Sequence, residues 1–279
     1  MRRSSPRPSL LVVLFSLGTL AHAAPPLAKA PAPGTSLARL TYVERHVDQG
    51  VGPGWKGAAE NTSLLFGETL KTAADAMVRL ELPWMSLTLS PSSIVSFPDE
   101  LVLSTQLQQG RVLLQSGGRE ILKVVTPEAE VRGTGRAIVR REKDTTLITC
   151  IDGRFVVEAA GRSVAVPVAR GAVVRAGQAP QGPFELLAPP SGLWPASDPV
   201  YVAVGEPLAL RWEPRGASYS VELLAVGDDM VLMQRDAAGP SLKLPIAWPG
   251  AFRWRVAARD ERGLEGLPAG DGQIVVDDK

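Results

Sequence analysis

Apolar and polar residues alternate in short runs along most of the chain. Val78, Leu80 and Leu82 alternate with Met77, Arg79 and Glu81. Tyr219, Val221 and Leu223 alternate with Ser218, Ser220 and Glu222, and Phe252, Trp254 and Val256 with Arg253 and Arg255. Successive side chains of a strand point to opposite faces. A period of two therefore predicts strands with the first set of each group in a core and the second in water. Gln109-Gly110, Ser116-Gly117-Gly118, Asp152-Gly153 and Ala160-Gly161 punctuate the runs as turn signals. Many short strands closed by such turns predict an all-β sandwich, roll or barrel rather than an alternating α/β fold. The best helical candidate is one short turn over residues 68–75.

The pattern falls into two strand-rich blocks, residues 37–186 and 193–279. Between them lies a proline-rich stretch that includes Ala188-Pro189-Pro190-Ser191-Gly192. Such composition reads as a loop between domains. Ahead of the first block, residues 24–36 are rich in proline and alanine and read as an extended tether. Residues 1–23 have the layout of a secretory signal peptide. Arg2, Arg3 and Arg7 give the positive end, Leu10 to Leu20 the apolar run, and Ala21-His22-Ala23 the small-x-small cleavage site. The apolar run is shorter than the roughly 20 residues that span a bilayer, and no later run is long enough. The expectation is export to the periplasm or beyond, with no integral membrane segment in the mature chain.

Charge and composition then exclude several classes of function. Removing the three arginines of the leader from 30 basic residues leaves 27 against 29 acidic ones, a net of −2. No basic excess is present to hold nucleic acid. His46 is the sole histidine after the leader, in the polar stretch Glu44-Arg45-His46-Val47-Asp48, and is expected at the surface. Histidine-based triads and histidine-rich metal sites are thereby excluded. Cys150 follows Leu147-Ile148-Thr149 and has no partner for an internal disulfide. It reads as a buried core thiol, with an intermolecular disulfide as the alternative. Gly50-Val51-Gly52-Pro53-Gly54 lacks the lysine of a phosphate-binding loop. The sequence offers no catalytic residue, no cofactor site and no metal ligands.

Six phrases in order carry a resemblance across the first block. They are Gly67-Glu68-Thr69-Leu70-Lys71-Thr72, Ala76 to Leu82, Leu87 to Ser93, Leu107 to Leu114, Thr126-Pro127-Glu128-Ala129-Glu130-Val131-Arg132-Gly133-Thr134-Gly135, and Thr146 to Val157. Gly171 sits where a closing phrase would follow. Together they resemble a FecR-type periplasmic domain. Two departures stand out: Leu82-Pro83-Trp84-Met85-Ser86 replaces an Asp/Asn-Gly turn, and Arg136-Ala137 stands where the family often has a bulky residue. The matched residues read as scaffold. Gly67, Gly110, Gly133 and Gly153 suit positive φ, and Thr126-Pro127 suits a strand entry. The second block resembles an immunoglobulin or fibronectin type III module. Leu208 to Pro214 and Pro249 to Asp260 carry this, with Trp212 and Trp254 expected in its core.

The resemblance implies a FecR-like β-sandwich or β-roll followed by an immunoglobulin-like β-sandwich. It names modules rather than a task. The leading expectation is a non-enzymatic envelope protein that binds or scaffolds a protein partner. One alternative is a periplasmic signalling partner in a FecR-type sigma-regulator system. Direct sigma regulation is disfavoured, because a cleavable leader stands where that role needs a cytoplasmic segment and a membrane helix. The other alternative is carbohydrate or peptidoglycan binding. Trp84, with Met85 beside it, reads as a loop residue folded over the sandwich edge or, in the alternative, as an exposed anchor, and in that alternative the two are the candidate binding residues.

Overall fold

The computed structural model describes residues 36–82, 85–98, 104–117, 121–227 and 229–278. The leader of residues 1–23, the tether up to residue 35, and Trp84 lie outside the described residues. The chain is all-β, and the described residues hold no helix. Residues 68–75 form the Thr69–Thr72 strand and a turn, which corrects the one helical expectation.

Fifteen strands join in one hydrogen-bonded sheet from Ser36–Glu44 to Gln181–Glu185. The sheet folds over itself because its three longest strands change partners midway. Thr105–Ser116 pairs with Ile94–Ser96 in its first half and with Met85–Leu89 in its second. Glu130–Glu142 pairs first with Leu122–Val125 and then with Thr105–Ser116. Thr145–Ala159 pairs first with Arg170–Arg175 and then with Arg162–Pro167.

Each change falls at a glycine with positive φ: Gly110 at 91°, Gly135 at 105° and Gly153 at 79°. A Cβ on Gly153 would stand 2.1 Å from the Thr134 carbonyl oxygen, so only glycine lets the crossing strands approach this closely. Gln109-Gly110 and Asp152-Gly153 are therefore bends inside strands, where the pattern predicts breaks between them. Ala160-Gly161 is a true turn, between Thr145–Ala159 and Arg162–Pro167. Gly133 lacks a positive φ; its missing side chain makes room for the Phe155 ring and the Arg154 carbonyl. Thr126 and Pro127 belong to a hairpin turn. The Thr126 N–H donates to the Ala129 carbonyl at 2.8 Å, and its hydroxyl oxygen accepts from the Ala129 N–H at 3.0 Å.

The folded sheet encloses one apolar core. Val78, Leu80 and Leu82 enter it from one half, and Val95, Leu107, Val131 and Phe155 from the other. Cys150 is buried there.

The rest of the chain forms a five-stranded sheet and a two-stranded one. The former runs in the order Val200–Ala203, Ala269–Asp277, Gly250–Arg259, Ser218–Ala225, Val231–Ala237; the latter pairs Pro207–Arg211 with Ser241–Pro245. Leu210, Trp212, Tyr219, Val221, Trp254 and Val256 pack between them. Trp212 and Trp254 are both core residues, as the sequence predicts. The segment joining the two units is held down: Leu186 packs with Leu147 and Leu264, and the Leu187 carbonyl accepts from the Leu267 N–H at 3.0 Å.

Candidate functional site

Part of the outer face of the larger sheet does not face water. Met77, Leu113 and Ile138 project from it and pack against Leu224 and Val231 of the smaller sheet. Further along, Leu147 and Val173 meet Leu186 and Leu264. Met77, Ser220 and Glu222, which the alternation assigns to water, are buried. The alternation identifies a second face correctly, but that face meets another sheet instead of solvent.

Between these two apolar patches lies a cluster of charges. Arg111 alternates with the core residue Val112 and is 5 % exposed. Its Nε and Nη2 donate to the two Glu265 carboxylate oxygens at 3.2 and 2.8 Å. Nη2 also donates to Glu222 Oε1 at 2.9 Å, and Nη1 to Ser90 Oγ at 2.9 Å. Arg255 Nε donates to the other Glu222 oxygen at 2.6 Å. Arg259 donates to Asp236 at 2.8 Å and lies 3.5 Å from Glu265. The Thr149 hydroxyl donates to the Glu265 main-chain carbonyl at 3.0 Å.

Three guanidinium groups thus meet three carboxylates, with Asp236 on the exposed side, and Arg136 stands beside Arg255 as a fourth cation. The pairing matters because an unpaired ion in such a place costs several kcal/mol. Burial pushes the Glu222 carboxyl up, but Arg255 and Arg111 outweigh it and hold the group at about 2. Burial likewise disfavours the Arg111 cation, and Glu265 and Glu222 more than offset it. Burial pushes the Asp236 carboxyl up, and Arg259 with Arg140 and Arg111 brings it below its ordinary value.

The pairing is poorer at the other end of the seam. The Tyr42 hydroxyl donates to the Leu232 carbonyl at 2.8 Å. Glu44 lies 3.3 Å from Arg235, while its second oxygen is buried without a hydrogen-bond partner among the described residues. Burial holds the Glu44 carboxyl above its ordinary value, and Arg235 offsets only part of that. Arg136, one of the two departures from the FecR pattern, faces the smaller unit 3.9 Å from Asp229. Burial and then the neighbouring Arg255 disfavour its charge. Its neighbour Ala137 points the other way, into the core of the larger sheet.

A cleft of about 830 Å³ opens along the seam. The larger unit supplies Ser90 to Ser92, Gln109 to Arg111 and Arg140 to Thr145; the smaller supplies Gln234 to Asp236, Arg259 and Arg262. The site is thus composite, and the buried charge cluster forms part of its wall.

Of the candidate binding residues, Trp84 lies outside the described residues. Met85 is only 6 % exposed and packs inward as a core residue. Among the described residues the aromatics with open surface are Trp55, Trp194 and Tyr201, 44 %, 48 % and 70 % exposed, with Trp194 under Arg211. His46 is exposed and lies 3.0 Å from Asp48. Among the described residues no cluster of histidine, cysteine or carboxylate side chains is placed to hold a metal. Sequence reasoning missed Arg111, Glu222, Glu265 and Arg259. The one available signal was that Glu222 and Arg255 carry opposite charges on the outer faces of two core strands.

No family model matches the chain, and no curated protein matches it. Among the solved structures that match are two crystal structures of candidate anti-sigma factors from Parabacteroides distasonis. One is 13 % identical with a TM-score of 0.36, over 42 % of this chain and 60 % of that one. The other is 12 % identical with a TM-score of 0.37, over 44 % of this chain and 68 % of that one. The chain therefore spans less than two thirds of the length of the first.

Proposed function

We propose that the chain is a non-enzymatic, exported protein of the bacterial envelope. In this reading a FecR-like unit and an immunoglobulin-like unit together present one binding surface to a protein partner. The observation that carries it is the seam: residues of both units line a single cleft, and the buried Arg111, Glu222 and Glu265 tie the units to each other. A surface made by two units needs their orientation fixed, and the cluster does that. The N-terminal sequence pattern supports export. The order of the smaller sheets, with Val200–Ala203 parallel to Ala269–Asp277 and a separate two-stranded sheet opposite, supports the immunoglobulin-like assignment.

The test is in-cell photo-crosslinking of the full chain. A reactive side chain replaces Gln109 at the cleft in one strain and Tyr201, exposed on an edge strand, in another. A discrete protein adduct from position 109 and none from 201 is expected. An adduct from 201 alone, or wall polymer as the captured species, overturns the proposal. A sigma-regulator complex captured from 109 would give the partner its class.

A further inference from the structure

The lining of the cleft is unevenly charged: eight of its residues are basic and three acidic. Six of the eight are held by carboxylates that steady them from behind or beside. Glu222 and Glu265 hold Arg111, and Glu128 holds Arg141 through both its oxygens. Arg235 is held by Glu44, Arg140 by Glu142, Arg259 by Asp236 and Arg262 by Asp260.

The remaining two stand at the mouth. Lys143, at the turn between Glu130–Glu142 and Thr145–Ala159, has no ion pair among the described residues. Among the described residues Arg175 reaches only the Gln181 amide oxygen, at 3.4 Å. Both are exposed. The cleft thus offers carboxylate-held arginines along its lining and two exposed cations without a carboxylate partner among the described residues. The volume lies within the range of small-ligand sites, and is larger than a single oxyanion fills.

We propose that the cleft takes an acidic peptide segment of the protein partner; this rests on the composite-surface reading above. Arg175 and Lys143 are the lining cations without a carboxylate partner among the described residues, and the planar fork of Arg175 matches a carboxylate two bonds at a time. The three acidic groups, Glu142, Asp144 and Asp236, separate a peptide from a phosphate polymer. They repel a uniformly charged chain but accept hydrogen bonds from main-chain N–H groups. Spaced carboxylates with amide donors between them complement this mixed lining.

The experiment measures fluorescence anisotropy of a labelled hexapeptide alternating glutamate and glycine, titrated with the full chain. The controls are the glutamine–glycine peptide and inorganic tripolyphosphate as competitor. Salt-sensitive binding of the acidic peptide is expected, with the glutamine version at least about tenfold weaker. Lys143→Glu with Arg175→Glu weakens binding by about tenfold, while Lys56→Glu with Arg162→Glu, the same charge change away from the cleft, leaves it unchanged. Equal loss in both double variants, no loss in the cleft variant, or tripolyphosphate binding tighter than the peptide overturns the proposal. If position 109 still crosslinks a protein in cells while the acidic peptide fails to bind, the peptide assignment falls and the composite surface stands.

Discussion

Glu222 and Glu44 sit at the same seam under opposite balances. Glu222 has two guanidinium partners and is held at about 2. Glu44 has Arg235 at 3.3 Å, Arg45 at 4.0 Å and an oxygen without a hydrogen-bond partner among the described residues, and burial holds it above its ordinary value. Glu222→Gln leaves two buried cations short of charge and is expected to cost about 3–5 kcal/mol. Glu44→Gln removes a charge that burial already disfavours and is expected to change stability by no more than about 1 kcal/mol. Urea unfolding of the two variants checks the contrast.

The pH dependence follows with the sign of the Glu222 shift. A carboxyl whose folded-state pKa lies below its unfolded value contributes stability above the unfolded value and loses it as pH falls. Wild-type stability is therefore expected to fall between about pH 5 and pH 2, with a shallower slope in Glu222→Gln. Cys150 is buried, and burial, followed by the nearby Asp152, pushes its thiol up to about 11. It should resist thiol reagents at pH 8 until the chain is unfolded; rapid labelling of the native protein would contradict the packing described.

At the scale of elements, the bends decide the fold. Gly153 and Gly161 both have positive φ, 79° and 70°, but differ in surroundings. A Cβ at Gly161 meets nothing within 4 Å, whereas at Gly153 it strikes a carbonyl oxygen. Gly161→Ala is expected to cost about 1–2 kcal/mol from backbone strain alone. Gly153→Ala should cost more than about 3 kcal/mol, because the crossing strand must also move. Thermal unfolding of the pair separates the two effects.

The strands themselves were legible: Val78, Leu80, Leu82, Trp254 and Val256 point inward as a period of two requires. Where the strands bend was not, since a glycine at a turn and a glycine at a crossing look alike in sequence. The opposite faces were also misread. Alternation says that Glu222 and Arg255 leave the core, but not whether they meet water or a matching charge. Arg111 and Glu265 are 154 residues apart, too far for any local pattern to link them. Pro83 and Trp84 give position 85 the local composition of a loop, while Met85 completes the β-alternation with Leu87 and Leu89 and so turns inward.

For the whole molecule, the seam predicts that the two units lose structure together. One cooperative transition is expected for the wild type. Leu224→Asp, which places a charge against Met77 and Ile138, is expected to split it into two and to open residues 186–199 to proteolysis. A single unchanged transition in that variant would show that the apolar contact is not what couples the units. The same seam has a consequence for biogenesis. A ribosome releases the chain from its N-terminus, so the larger sheet can close before the strands that cover Met77, Leu113 and Ile138 exist. Until the last third of the polypeptide emerges, a greasy patch stands open with Arg111 and Arg136 beside it, short of their carboxylates. Nascent chains halted near residue 199 should therefore be sticky and dependent on chaperones, whereas the finished molecule carries its own cover.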